Sequence, residues 1–323
     1  LPVGYVAVRS WEAGLAGMTA ELLRPRTLYL LFNTVTLVVA VTLCASILAV
    51  AAAWCTERCD LPWRRFWRVA ASLPLALPAY VSSYAWSTLG PWFEGMLGAI
   101  ALLTFYSLPL IYLPVAAALA GMDTSFEDVA RSLGHDRWRT FVRVVLPQAL
   151  PALGGGALLV ASHMLAEFGA LAFLRVETFT TAIFDQYQLR FDNATAALLS
   201  GVLMALCLPV VLAEIRVRQG LRFARISRGS ARPPAPVRMG KLAPVAIGGF
   251  VLVAAIGFGV PFVTLATWLW EGTSRGRGLA NLGPAIEGSL SFALPGAAIT
   301  TLLALPLVLL ATRYRGRAAR VAD

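Results

Sequence analysis

The sequence predicts an all-α, polytopic membrane protein, and three observations carry that prediction. Of its 323 residues, 58% are hydrophobic and only 14% are charged, and the mean hydropathy is +0.72. A soluble domain of this size could not hide that much apolar surface in one core, whereas a bilayer accepts it as solvent. The apolar residues are also gathered into seven blocks, at 28–54, 66–88, 98–120, 151–172, 194–215, 243–270 and 288–312. Each is near the roughly 20 residues that a helix needs to cross about 30 Å of hydrocarbon. Finally, the basic residues are sorted by loop. With alternate loops assigned to opposite sides, 20 of the 27 Lys and Arg fall on one side and 7 on the other. The positive-inside rule makes the richer side the cytoplasm. That sorting, rather than a basic face, also argues against nucleic acid as the partner of a chain with a net charge of +10. Period-two alternation, the mark of a β-barrel, is absent.

In chain order, residues 1–12 (LPVGYVAVRSWE) read as the tail of a span whose beginning is missing. They align with 260–271 (VPFVTLATWLWE), Pro2 on Pro261 and Trp11 on Trp270, at an offset of 259. Residues 33–58 align more loosely with 288–313 at an offset of 255. Two matches in one order suggest a two-fold repeated protein. The expected organisation is a first half over 1–215, a basic linker over 216–242, and the opening of a second half over 243–323. In the second block, Pro74 and Pro78 precede Tyr80, Ser82, Ser83 and Tyr84. A proline-broken helix is tolerated where it lines a cavity or is packed by neighbours, so Tyr80 and Ser83 read either as pathway residues or as parts of a kinked structural helix. Cys55 and Cys59 form a C-x3-C pair with no nearby His or Cys to complete a metal site, so neither a metal site nor a cofactor is expected.

Residues 121–151 (GMDTSFEDVARSLGHDRWRTFVRVVLPQALP) are long for a loop and are not loop-like. Ser125 can cap a helix with Glu127 and Asp128 in its first turn, Gly134 supplies a corner, and Asp136 can cap a second helix. Pro147 and Pro151 are expected to end that second helix before the next span. Two short amphipathic helices at a corner on the cytoplasmic face suit the cleft of a soluble partner.

Beyond this corner, Glu167 and His163 stand four residues apart, so they share a helix face. A carboxylate at membrane depth reads either as lining or gating a polar route, or as a helix-end group paired locally near Gly169. The segment 173–193 is too polar to span. Phe179, Ile183 and Tyr187 recur every fourth residue, predicting a short amphipathic helix at the outer interface. The linker 216–242 is basic and rich in Pro, Ser and Gly, and is expected to be mobile.

The corner resembles the EAA signature of ABC importer permeases: Glu-Ala-Ala, three residues, Gly, nine residues, Ile-x-Leu-Pro. Here the matching positions are Asp128, Val129, Ala130, Gly134, Val144, Leu146 and Pro147, with the spacing kept and Asp128, Val129 and Val144 departing conservatively. The resemblance extends over RTLYLLFNTVTL, LPLALPAYVSSYAW and MLAEFGALAFLRVETFTTAIFDQY, and it is greatest to the fused iron(III)-type permeases, with thiamine permeases sharing the architecture. It implies the type I importer fold in a bacterial inner membrane, with no catalytic residues in this chain. It also implies an ATPase dimer docked on the corner (Glu127, Asp128, Ala130, Gly134, Val144, Leu146, Pro147) and a periplasmic binding protein on the outer loops, where Glu177, Asp185 and Asp192 offer charges. The only lysine, Lys241, follows Gly240 but lacks the first Gly and the Ser or Thr of a phosphate-binding loop, so ATP falls to another subunit. By the repeat offset, a second coupling element is expected near position 383.

Overall fold

In the computed structural model, the structure describes residue 4 and residues 24–122, 125–221, 237, 239–274 and 282–313. The proposed repeat partner at 1–12, apart from residue 4, lies outside the described residues. The chain divides into two compact units, residues 1–264 and 265–323. Among the described residues, six helices are long and apolar enough to cross a membrane: Pro25–Arg58, Met96–Ala120, Phe141–Ala166, Asn193–Val217, Ala243–Ser274 and Leu282–Pro306.

The first unit is built on α1 (Pro25–Arg58), which begins with proline in its first turn and ends on a basic residue. Its residues Leu37, Val41, Ala45, Ala49 and Ala53 are fully buried. Small side chains at every fourth position let a neighbouring backbone come close, which is how helices associate in lipid, where apolar burial drives little. The other side of α1 leaves Tyr29, Phe32 and Ile47 exposed, as a lipid-facing surface requires.

The expected second span, 66–88, is not one helix. It is α2 (Arg64–Ala70), a 3₁₀ turn at Leu73–Ala76 and α3 (Ala79–Ser87). The prolines explain the break. Pro74 opens the 3₁₀ turn, and Pro78, extended at ψ 143°, starts α3 afresh. Composition marked the block as apolar enough, but two missing N–H donors divide it, and six long apolar helices stand among the described residues in place of the seven expected.

The next span, α4 (Met96–Ala120), packs on α1 and on the helix that follows the corner. That corner consists of α5 (Ser125–Ser132) and α6 (Arg137–Thr140). Here a second expectation is corrected, because Pro147 and Pro151 do not end the helix. A π turn at Phe141–Val145 leads without interruption into α7 (Leu146–Ala166). A proline ring clashes with the carbonyl four residues back. For Pro147 that carbonyl belongs to Arg143, inside the widened turn, which gives the ring room.

Short helices α8 (Gly169–Phe173) and α9 (Phe179–Phe184) follow, then a π turn at Asp185–Leu189. The expected interfacial helix is therefore short, and it is anchored. Phe179 is fully buried beside Leu30 and Leu199, while Tyr187 is exposed. Asn33 donates to the Glu177 carbonyl (2.9 Å), and the Phe179 N–H donates to Thr34 Oγ1 (3.2 Å). These two polar residues of α1 give the segment internal partners that an interface helix would lack.

The long helix α10 (Asn193–Leu221) is capped by Asp192, which accepts the Thr195 N–H at 3.0 Å and the Thr195 hydroxyl at 2.7 Å. These donors hold the carboxyl below its usual range. Asp192→Ala is expected to cost about 1 kcal/mol, read as faster amide exchange in the first turn of α10. Because the folded pKa is depressed, the cap's contribution is complete above the ordinary carboxylate range. It is lost as pH falls through the lowered folded value.

α10 continues into the expected linker as far as Leu221. At the linker's other end, Val237 makes a parallel bridge with Cys59, its N–H donating to the Arg58 carbonyl at 2.8 Å. The Met239 N–H donates to Asp60 Oδ1 at 2.8 Å. The end of the linker is therefore attached, not loose, and it delivers the chain into α11 (Ala243–Ala254). That helix packs on the broken segment: the Trp67 and Phe250 rings stack at 5.6 Å. After a π turn at Ala255–Gly259 comes α12 (Val260–Ser274). In the second unit, α13 (Leu282–Arg313) exposes Phe292, Ile299 and Leu302 along its length.

Candidate functional site

At the sequence-predicted corner, Gly134 and Asp136 take the turn and cap positions expected of them, while the side chain of Ser125 lies outside the described residues. The Leu133 N–H donates to the Val129 carbonyl, and the His135 N–H reaches back to the Ala130 carbonyl. Between them Gly134 turns the chain at φ +84°, in the left-handed region. Asp136 caps α6 by accepting the Arg139 N–H at 2.9 Å. Both arms then attach to the basic end of α1. Phe141 meets Trp54 edge to face, with ring centroids 4.6 Å apart. Glu127 Oε1 lies 3.0 Å from Arg58 Nη1, and Glu127 Oε2 lies 3.8 Å from Arg131.

The candidate coupling residues consequently fall in two groups. Glu127 and Ala130 are buried, facing the bundle, while Val129 and Leu133 are 57% and 74% exposed. Gly134 is exposed, Val144 and Leu146 are half-buried, and Pro147 is exposed. The side chain of Asp128 lies outside the described residues. An amphipathic helix fixed by its polar pair and showing two aliphatic side chains outward is the geometry of a helix offered to a groove. In the sequence Arg58 stands out only as a cytoplasmic loop charge and as the basic end of the apolar segment 33–58.

At the opposite end of the bundle, Glu167 terminates α7 with an extended ψ of 126°. Its Oε1 accepts the Ala170 N–H at 2.9 Å, at the start of α8. Its Oε2 is 3.6 Å from His163 Nε2, and its carbonyl accepts the Thr180 hydroxyl at 2.7 Å. The His163 ring stacks on Tyr106 at 5.8 Å, a neighbour that nothing in the sequence marked. Tyr80 of α3 packs close to Gly169, where an added Cβ would lie 2.8 Å from the Tyr80 Cβ. Tyr80 is exposed, whereas Ser83 is fully buried and donates to the Tyr80 carbonyl at 2.8 Å. The structure thus pairs Glu167 with His163, sets Tyr80 against Gly169 two residues further on, and turns Ser83 into the packing.

A bundle of long apolar helices carrying a capped corner at its basic end defines a membrane component. Residues 13–223 match the family model of the binding-protein-dependent transport system inner membrane component, and the chain belongs to that family. It is 41% identical to the Fe(3+)-transport system permease protein FbpB 2 of Haemophilus influenzae over 98% of this chain and 63% of that protein. The chain therefore spans a little under two thirds of that relative's length. It is 30% identical to the sulfate transport system permease protein CysT of Escherichia coli, over 54% of this chain and 69% of the relative. It is also 30% identical to the molybdenum transport system permease protein ModB of Escherichia coli, over 55% and 85%. These relatives are transport permeases, not enzymes.

Proposed function

We propose that this chain is the membrane-spanning permease of an ATP-driven importer, and that its cargo is iron(III) delivered by a periplasmic binding protein. The observation that carries the reading is the corner at 125–147, fixed to α1 and presenting Val129 and Leu133 outward, in a chain of this family. The ATPase dimer would seat on that exposed face, from the cytoplasm. Closure of the dimer on ATP then moves the corner, and the helices switch between inward-facing and outward-facing states. A near-complete switch needs ATP to favour one state by about 5.5 kcal/mol. Glu167, His163 and Tyr80 would contribute polar groups to the route, with Ser83 supporting the helix that carries Tyr80. Residues 1–215 would form one permease half, and the chain from 243 would open the second.

The cargo rests on the 41% identity with the iron relative. A second reading, oxyanion cargo, is favoured by the sulfate and molybdenum relatives at 30%. The test is uptake into proteoliposomes holding the complete transporter, with labelled iron(III), sulfate, molybdate and thiamine supplied in turn with their binding proteins. ATP-dependent accumulation of iron alone is expected. Accumulation of an oxyanion or of thiamine would replace the cargo, and uptake driven by an ion gradient without ATP would remove the importer reading itself.

A further inference from the structure

We propose that Arg58 is a positioning residue for coupling, the pin through which displacement of α5 reaches α1; the proposal rests on the reading of the corner as the ATPase contact. Four observations converge on it. The Arg58 side chain is 1% exposed, and the Glu127 side chain it meets at 3.0 Å is 9% exposed. This pair is sealed from water, unlike the Glu127–Arg131 contact, where the arginine is 39% exposed. A surface ion pair slackens readily, whereas a buried one cannot open without stranding a charge, so helix and pin move together.

The last turn of α1 is also a junction. Thr56 shares a hydrogen bond with the Tyr112 hydroxyl of α4 at 3.1 Å. Glu57 is gripped by Arg68 of α2 through two bonds of 2.7 and 2.6 Å. The Arg58 carbonyl and Asp60 hold the returning linker. A push arriving at Arg58 is thus shared by α1, α2, α4 and the lead-in to α11.

The test uses the complete transporter with its ATPase and binding protein. Arg58→Met with Glu127→Leu replaces the pair by apolar groups of similar volume, a change that buried pairs commonly tolerate in folding. The double variant is expected to keep its yield, and its activities are expressed per ATPase that co-purifies, because Glu127 belongs to the candidate coupling set. Stimulation of hydrolysis by the loaded binding protein, and uptake with it, should fall on the order of tenfold. Wild-type stimulation in the double variant would overturn the proposal by making the pair structural only. A second measurement does not depend on that variant folding. Spin labels at S132C and I47C, with the native cysteines replaced, are expected to keep one separation with and without ATP. A separation that changes between those states would also overturn the pin. Failure of unmodified permease to bind any ATPase would instead remove the underlying reading, so the two failures are distinguishable.

Discussion

Gly156→Leu is expected to prevent the bundle from forming. A Cβ at Gly156 would lie 2.9 Å from the Ile111 Cα and 3.2 Å from the Leu110 carbonyl oxygen. Both are backbone atoms of α4, so no rotamer change can make way, and the helices must separate along the seam between α4 and α7. Overpacking a tight contact costs about 1–3 kcal/mol, occasionally more, and here one added methyl already clashes. Gly156→Ala should therefore lower the thermal midpoint in detergent, and Gly156→Leu should abolish the folded peak on size exclusion. Gly155 is the control on the same helix, because a Cβ there meets nothing within 4 Å. If Gly155→Leu and Gly156→Leu lose stability equally, the close approach of the helices is not what the glycine serves.

Gly134→Val is expected to leave the bundle intact and uncouple it. A Cβ at Gly134 has open space around it, so the obstacle is conformational and not steric crowding by neighbours. At φ +84° an L-residue loses about 1–2 kcal/mol, enough to tilt a solvent-exposed two-helix corner toward another turn. The proposed consequence is loss of ATPase co-purification and of uptake with normal permease yield. Gly134→Asn, which tolerates the left-handed region better, should retain part of both. Intact coupling in Gly134→Val would mean that the corner angle does not matter to docking.

The contrast between these two glycines shows what the sequence could and could not disclose. Gly134 was legible because its role is local: an amphipathic stretch ends before it and Asp136 begins another after it. Gly156 sits in a run of three glycines, and only the packed helices reveal that it alone touches a neighbour's backbone. The same division explains the rest. Length and hydropathy located the long apolar helices, but the block at 66–88 met the composition of a span while its prolines prevented the continuity. Pro147 read as a helix stop because the π turn that accommodates it has no sequence signature. Glu127 was placed in the right helix, yet its partner, Arg58, lies 69 residues away and is joined to it only by tertiary packing.

The bridge between Val237 and Cys59 changes what severing the chain would mean. A cut between 222 and 236 would leave one piece ending after α10 and another beginning beside Val237. The second piece would still carry the Val237–Arg58 and Met239–Asp60 bonds, the Trp67–Phe250 stack, and the Ile256 carbonyl that accepts from Trp86 at 3.3 Å. The tether thus contributes effective concentration, raising the chance that the pieces meet, while the affinity resides in the contacts themselves. Two separately translated polypeptides could rebuild this corner of the molecule by association alone.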